Sequence, residues 1–349
     1  MLYYTNLDKT VLGMQRNTAS SNNIVIVSGY IGYQTIKMLA DCCNDVHITI
    51  IYGMYGNDSI SLPLHNALKE IQCQYPNVEI LYSTIPVHSK IYTWNCDDSI
   101  KRALIGSANF SVSGMMNDYK EILSDVEKDV FGNLQNYCNY VLSKAINCTD
   151  VNVKVKEVCK ASRRSKFAQP LLSKNVCRAT LLDIHGKVSS KSGLNWGLSK
   201  GHVSDGDAYI RITSKYIEQF PTLFPPKKYV EVENLQSSGR AHRENDEVEL
   251  IWDDGEKMLG LLEGQQTRKI NGLVYPKQLS SSPSKSILGK YLRKRLGVDI
   301  NHIITKADLL RYGRTSIDIS LIGDGIYYLD FSQKRTPKKA KNSKIEHLV

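Results

Sequence analysis

His88 and Lys90 stand two residues apart, and Ser107 and Asn109 repeat that spacing inside Gly106-Ser107-Ala108-Asn109-Phe110-Ser111. Residues two apart on a β-strand point to the same face. The flanks Ile85, Val87, Ile91 and Tyr92 predict a strand that carries His88 and Lys90; Ala103, Leu104 and Ile105 predict another leading to Ser107 and Asn109. Side by side, the two strands would present an imidazole, an ammonium, a hydroxyl and an amide to one spot. That set suits a phosphate ester: an imidazole to attack or move protons, a fixed cation, and neutral donors for the anionic oxygens. A covalent phosphohistidine needs a second imidazole to protonate the leaving oxygen. The chain carries the set once, so a dimer is expected.

Taken alone, His-x-Lys is a common pattern of a solvated strand face, and the Gly-Ser-Ala-Asn run is a common strand end. In this order, after an apolar run, they resemble the phospholipase D superfamily signature. Under that resemblance the catalytic set is His88, Lys90, Ser107 and Asn109, and a downstream carboxylate orients a histidine. Glu121, after Gly114 and Met115, takes that role in preference to Asp118. Asn95 stands where the superfamily often has an aspartate.

The elements that must hold these residues alternate between strand and helix. Asn23–Gly29, His47–Tyr52 and Val78–Leu81 read as strands, and the spacings around Gln34–Leu39 and Pro63–Ile71 as helices. Phe131–Ile146 reads as an amphipathic helix with Leu134, Tyr137, Val141 and Ile146 facing the core. Strands alternating with helices imply an α/β sheet covered by helices over residues 1–150. Residues 151–172 form a basic linker carrying Lys154, Lys156, Lys160, Arg163, Arg164 and Lys166.

Residues 173–349 have a different texture, short strands between turns. Arg178–Ile184, Ala208–Ile212, Tyr229–Glu233, Glu247–Trp252, Met258–Leu262, Ile317–Ile322 and Ile326–Phe331 read as strands. Asp253-Asp254-Gly255 and Gly323-Asp324-Gly325 read as hairpin turns. One helix is expected over Ser284–Leu296, with Ile287, Leu288, Tyr291, Leu292 and Leu296 inward. A second is expected over Lys306–Arg311, capped by Thr305 and closed by Gly313. This pattern predicts a small barrel or pseudobarrel, with a lysine-rich tail over Lys334–Lys344. Two loops look like recognition surfaces: Gly193 to Arg211, with Asn195, Trp196, Lys200, His202, Asp207 and Arg211, and Gly264 to Lys277, with Gln265, Gln266, Thr267, Arg268, Lys269, Asn271 and Lys277. Asn and Gln suit adenine edges and Arg and Lys suit guanine edges in the major groove. Trp196 fits a loop anchor better than a base-stacking platform.

The chain has 349 residues, room for two domains, and 42% hydrophobic residues, enough for packed cores. A net charge of +10 calls for an anionic partner, nucleic acid or membrane surface. The apolar runs Ile24–Val27 and Ile48–Tyr52 are too short to span a bilayer, and Met1–Gln15 lacks the layout of a secretory signal, so a soluble, intracellular protein is expected. The eight cysteines contain no Cys-x-x-Cys pair, and none lies beyond Cys177. Reduced thiols are expected, and their distribution marks a change of origin near residue 177.

Taken at full length, the chain resembles the BfiI and NgoFVII/NgoAVII type of restriction endonuclease, a phospholipase D-like nuclease domain followed by a B3-like pseudobarrel. The likeness rests on Asn195-Trp196-Gly197 with Asp207-Ala208-Tyr209-Ile210, on Tyr275-Pro276-Lys277-Gln278, and on Arg311-Tyr312-Gly313-Arg314-Thr315-Ser316 with Tyr327-Tyr328-Leu329. It implies metal-free hydrolysis of double-stranded DNA without a cofactor, by a homodimer joined through the N-terminal domain, in a prokaryotic cytoplasm. The two loops become the N-arm (Asn195 to Arg211) and C-arm (Gly264 to Lys277) that grip the major groove, and a short G/C-rich target of the GCSGC kind is implied. Some relatives work with a separate ATPase/translocase subunit, and a cognate methyltransferase belongs to such a system without direct contact. No Gly-x-x-x-x-Gly-Lys-[Ser/Thr] phosphate loop occurs here, so any ATP use would fall to a partner. A phospholipid-processing enzyme and a non-catalytic DNA-binding or methylation-reading protein are the rival readings. A metal-dependent nuclease with paired acids before a lysine is disfavoured, because no such strand pair is present.

Overall fold

A computed structural model describes residues 1–17, 21–158, 176–199, 203–227, 246–264 and 273–333. The N-terminal sheet is built from β1 (Leu2–Tyr3), β2 (Asn23–Ser28), β3 (His47–Tyr52), β5 (Val78–Ser83), β6 (Lys90–Cys96), β7 (Ser99–Gly106), β8 (Leu123–Asp125) and β9 (Ala145–Asn147), while β4 (Ile60–Ser61) pairs with β10 (Val155–Lys156). The sheet order is β1-β8-β7-β6-β2-β3-β5-β9; β2, β3 and β5 run parallel, and β6 lies antiparallel to β2. Helices α1 (Leu7–Asn17), α2 (Tyr33–Cys42), α3 (Tyr55–Asp58), α4 (Leu62–Gln74), α5 (Val112–Met115) and α6 (Phe131–Leu142) connect the strands.

Alternation along the strands sorts the side chains into two cores. Ile24, Ile26, Ile48, Ile50, Ile80, Tyr82, Tyr92 and Trp94 join the core that includes residues of α2 and α4. Val27, Ile51, Leu81 and Ile91, offset by one residue, join a smaller core with Cys138 and Val141 of α6. Burial on both faces explains why these central strands read as continuous apolar runs. Helix α6 ends at Leu142, four residues short of the expected end, because Ala145–Asn147 instead pairs with β5 at the edge of the sheet. Tyr137, expected inward, is 39% exposed.

The C-terminal sheet has the order β11-β16-β17-β13-β14-β15-β12. Its strands are β11 (Val176–Thr180), β12 (Ile210–Arg211), β13 (Asp246–Trp252), β14 (Lys257–Glu263), β15 (Gln278–Ser281), β16 (Ser316–Gly323) and β17 (Ile326–Asp330). All neighbours run antiparallel except β13 and β17. The nearly closed sheet wraps a core that takes Leu288, Leu292 and Leu296 from α8 (Lys285–Leu296) and Leu309 from α9 (Lys306–Tyr312). Ile287 points outward instead. Helix α9 carries the expected cap: Thr305 and Asp308 form a reciprocal capping box, and Gly313 closes the helix at φ 95°. A short helix, α7 (Ser214–Gln219), follows β12. Ile184, placed on a strand by sequence, is 91% exposed beyond the end of β11. The expected strand Tyr229–Glu233, the linker from residue 159 onward and the lysine-rich tail lie outside the described residues.

The two units share a seam. Ile251 and Ile326 of the C-terminal sheet are buried in the N-terminal core, with Ile322 and Tyr328 packed beside them. Asn117 brackets the start of β13, accepting from the Glu247 N–H through Oδ1. Lys257 reaches Glu70 at 2.8 Å and lies over the Tyr33 ring. Lys120 pairs with Asp246.

Candidate active site and nucleic-acid interface

The catalytic candidates gather at the ends of the central strands. Lys90 opens β6 opposite Ser28, the last residue of β2. His88 lies just before the strand rather than on it, and Ser107 and Asn109 follow the end of β7. The convergence survives that shift. Lys90 Nζ is 2.9 Å from His88 Nδ1 and 3.1 Å from Nε2, and donates to the His88 carbonyl at 2.6 Å. Lys90 is buried while His88 is exposed. Burial pulls the Lys90 ammonium below the usual lysine range, and the charges of Glu121 and Asp324 oppose that fall.

Asn109 completes the group. Its Oδ1 accepts the Tyr30 N–H at 3.2 Å, which directs Nδ2 the other way, where it donates to Asp324 Oδ2 at 2.9 Å. The sequence reading missed both Tyr30 and Asp324. Tyr30 also stands edge-on to the His88 ring, with centroids 6.1 Å apart. Its phenol donates to Asp58 and is pushed up to about 12, by burial first and then by that carboxylate. Gly29 was missed as well. A Cβ there would lie 2.9 Å from His88 Cδ2 and 3.3 Å from both Asn109 Oδ1 and Lys90 Nζ, so only glycine leaves room for all three. The Ser28-Gly29-Tyr30 run at the end of the β2 apolar strand was a signal of such a close approach.

Ser107 sits differently from the expectation. Its Oγ accepts the Ile122 N–H at 3.1 Å, and its own N–H donates to the Ile122 carbonyl. The hydroxyl therefore ties β7 to the segment that bears Glu121. Glu121 acts on Lys90 through its charge, and among the described residues no hydrogen bond joins it to His88. Asp118 is exposed and accepts the Asn6 N–H, a loop contact. Asn95 is a buried strand residue that donates to Thr93.

The recognition loops divide. Asn195 is fully buried: its amide nitrogen donates to the Ser189 and Ile304 carbonyls and its oxygen accepts from the Ile304 N–H. All its polar capacity is spent inside, so it is scaffold rather than a base reader. Asp207 is 8% exposed and accepts the Ser204 N–H, also a structural role. Trp196 packs edge-on against Tyr209 with Lys285 5.9 Å from its ring, the loop-anchor arrangement. Arg211 lines an open cleft of about 260 Å³ with Tyr209, Asp183 and Ser192. Lys277 is exposed at the foot of the second loop. Lys200, His202, Gln265, Gln266, Thr267, Arg268, Lys269 and Asn271 lie outside the described residues.

On the antiparallel pair β12 and β15, Arg211 pairs with Gln278, and the Ile212 N–H donates to the carbonyl of Lys277, just ahead of β15. Two aspartates of this sheet, Asp318 and Asp330, hold arginines at its β11 side. Arg178 grips Asp318 through two nitrogens, and Arg314 bridges Asp318 and Asp330. Arg295 binds Asp253 and the Tyr312 phenol, closing the end of the barrel. No helix among the described residues is long and apolar enough to cross a membrane.

Similar solved structures cover the N-terminal unit. They include NucT from Helicobacter pylori, at 15% identity over 42% of this chain and 97% of that one, with a TM-score of 0.32. A polyphosphate kinase from Porphyromonas gingivalis matches at 11% identity over 42% of this chain and 23% of that one, with a TM-score of 0.30. The phospholipase D family member Nuc from Salmonella typhimurium matches at 10% identity over 40% of this chain and 88% of that one, with a TM-score of 0.28. No curated protein matches the sequence. The family model of the NgoFVII restriction endonuclease N-terminal PLD domain matches residues 5–155, and that of the NgoFVII C-terminal B3-like DNA-binding domain matches residues 168–323. With a phospholipase D-like nuclease domain fused to a B3-like domain, the chain belongs to the NgoFVII restriction endonuclease family, phosphodiesterases that cut DNA.

Proposed function

We propose that the chain hydrolyses duplex DNA as a homodimer, through a phosphohistidine formed on His88 and without metal. The observation that carries this reading is the contact of Lys90 Nζ with the His88 ring, beside the amide of Asn109. His88 attacks phosphorus, forming the N–P bond as the P–O3′ bond breaks. The His88 of a second copy gives its proton to the leaving 3′ oxygen. Water then attacks the phosphohistidine, losing its proton to that same second imidazole, and His88 is restored. Lys90 and Asn109 hold the non-bridging oxygens, and Lys90 supplies positive charge of the kind a metal ion supplies elsewhere. Exposure of His88 on one chain fits a site completed by another. Ile105 and Ile122, 43% and 47% exposed, flank Ser107 and offer an apolar rim for that contact.

The C-terminal domain selects the DNA site. Arg211, Lys277 and the arm residues beyond the described segments are the candidates for that contact. Plasmid cleavage by the purified chain should persist in excess EDTA, and His88→Ala should abolish it while sparing DNA binding. Complete loss of cutting in EDTA, or full activity of the His88→Ala protein, would overturn the scheme.

A further inference from the structure

The turn between β16 and β17 belongs to the DNA-binding domain, yet its tip lies in the nuclease site. Asp324 Oδ2 accepts from Asn109 Nδ2 at 2.9 Å, and the amide is held in that orientation because its oxygen accepts the Tyr30 N–H. The turn is seated rather than grazing: Ser113 Oγ donates to the Asp324 carbonyl at 3.3 Å, and Gly325, at φ 66°, packs so closely that a Cβ would fall 2.5 Å from that of Ser113. Ile326, the next residue, is buried in the N-terminal core. A carboxylate held by an amide beside the Lys90 ammonium is the arrangement that a phosphodiester oxygen would need. The Asp324 charge is felt at both Lys90 and Tyr30.

We infer that Asp324 is a specificity-determining residue that occupies the phosphate seat of the nuclease and must be withdrawn before DNA can enter. The inference rests on the nuclease reading of His88, Lys90 and Asn109. A phosphate placed beside Asn109 and Lys90 would meet the like charge of the Asp324 carboxylate already seated there, so substrate phosphate and Asp324 compete. Because Asp324 sits on the recognition domain, engagement of the correct site by that domain is the event that can move the turn. Random DNA, held only by its backbone, provides no such pull. Cleavage is thereby tied to recognition.

Asp324→Asn removes the competing charge and keeps the turn's shape; Ser113→Ala loosens the seat without touching the carboxylate. The full-length proteins should be compared in two ways: inorganic phosphate binding by calorimetry, and cutting of a random-sequence duplex. Asp324→Asn should bind phosphate roughly 10-fold more tightly, a difference of about 1.4 kcal/mol, and cut the random duplex faster by a similar factor. Ser113→Ala should shift both in the same direction by less. Unchanged phosphate affinity in Asp324→Asn would overturn the inference. So would slower cutting, which would make Asp324 a positioning group for Asn109. Tighter phosphate binding with no cutting by any protein would uphold the seat while removing the nuclease reading.

Discussion

At the scale of single residues, the site depends on an absence. Gly29 has no side chain, and a methyl there would crowd His88, Lys90 and Asn109 together. Each neighbour is the end of a side chain, so the protein can absorb Gly29→Ala by displacing the three proposed catalytic groups rather than by unfolding. Stability should fall by about 1–3 kcal/mol, typical of overpacking. Cleavage should fall roughly 100-fold or more, since sub-ångström placement governs such chemistry. A Gly29→Ala protein that cuts at the wild-type rate would show that the three groups need not converge. His88, Lys90 and Asn109 were legible in sequence because their spacing is local and the strands impose it. Asn195 and Asp207 were misread for a different reason: an amide or carboxylate in a loop satisfies inward backbone groups as readily as it reads bases. Asp324 was invisible as a site residue, lying 215 positions from the Asn109 it binds.

At the scale of elements, strands bounded by buried runs were readable: β3 spans His47–Tyr52, the bounds its apolar run predicts. β15 was not, because Gln278, Ser280 and Ser281 are polar residues buried by tertiary pairing with β14, with Ser280 and Gln278 donating to Glu263. Pairing between elements also accounts for Glu249. This β13 residue is fully buried, and its carboxylate accepts from the Gln34 N–H at the start of α2 in the other domain. Burial pushes it up to about 7 from an ordinary value near 4.5, while the backbone donors and Lys257 only partly offset that rise. Between those pH values the folded chain holds a proton that the unfolded chain has lost. Stability from this group is therefore present at low pH and lost as pH rises through about 7, by roughly 3 kcal/mol in all. Glu249→Gln, which cannot ionise, should match wild type in thermal stability near pH 4.5 and exceed it above pH 7. Parallel stability curves for the two proteins across that range would show that the carboxylate is not charged at a cost in the folded state.

At the scale of the whole molecule, composition and texture separated two units but gave no hint that they lock. Lys120 with Asp246, Lys257 with Glu70, Asn117 on β13 and Ile251 in the N-terminal core are single residues scattered through both halves, with no local pattern to mark them. The proposed pairing of one chain with another has a sharper signature. If two His88 side chains serve one phosphate, a dimer with one His88→Ala subunit lacks either the nucleophile or the proton donor, and neither route completes turnover. Wild-type and His88→Ala chains, mixed under conditions that let subunits exchange, form dimers in binomial proportion. Cleavage should then follow the square of the wild-type fraction, so an equal mixture should retain about a quarter of the activity of pure wild type at the same total protein concentration. Subunit exchange can be checked independently with differently tagged chains, which removes failure to mix as an explanation. A linear dependence, with half the activity at equal mixing despite proven exchange, would mean that each chain holds a complete site. The single histidine motif would then have to work with a proton donor from its own chain.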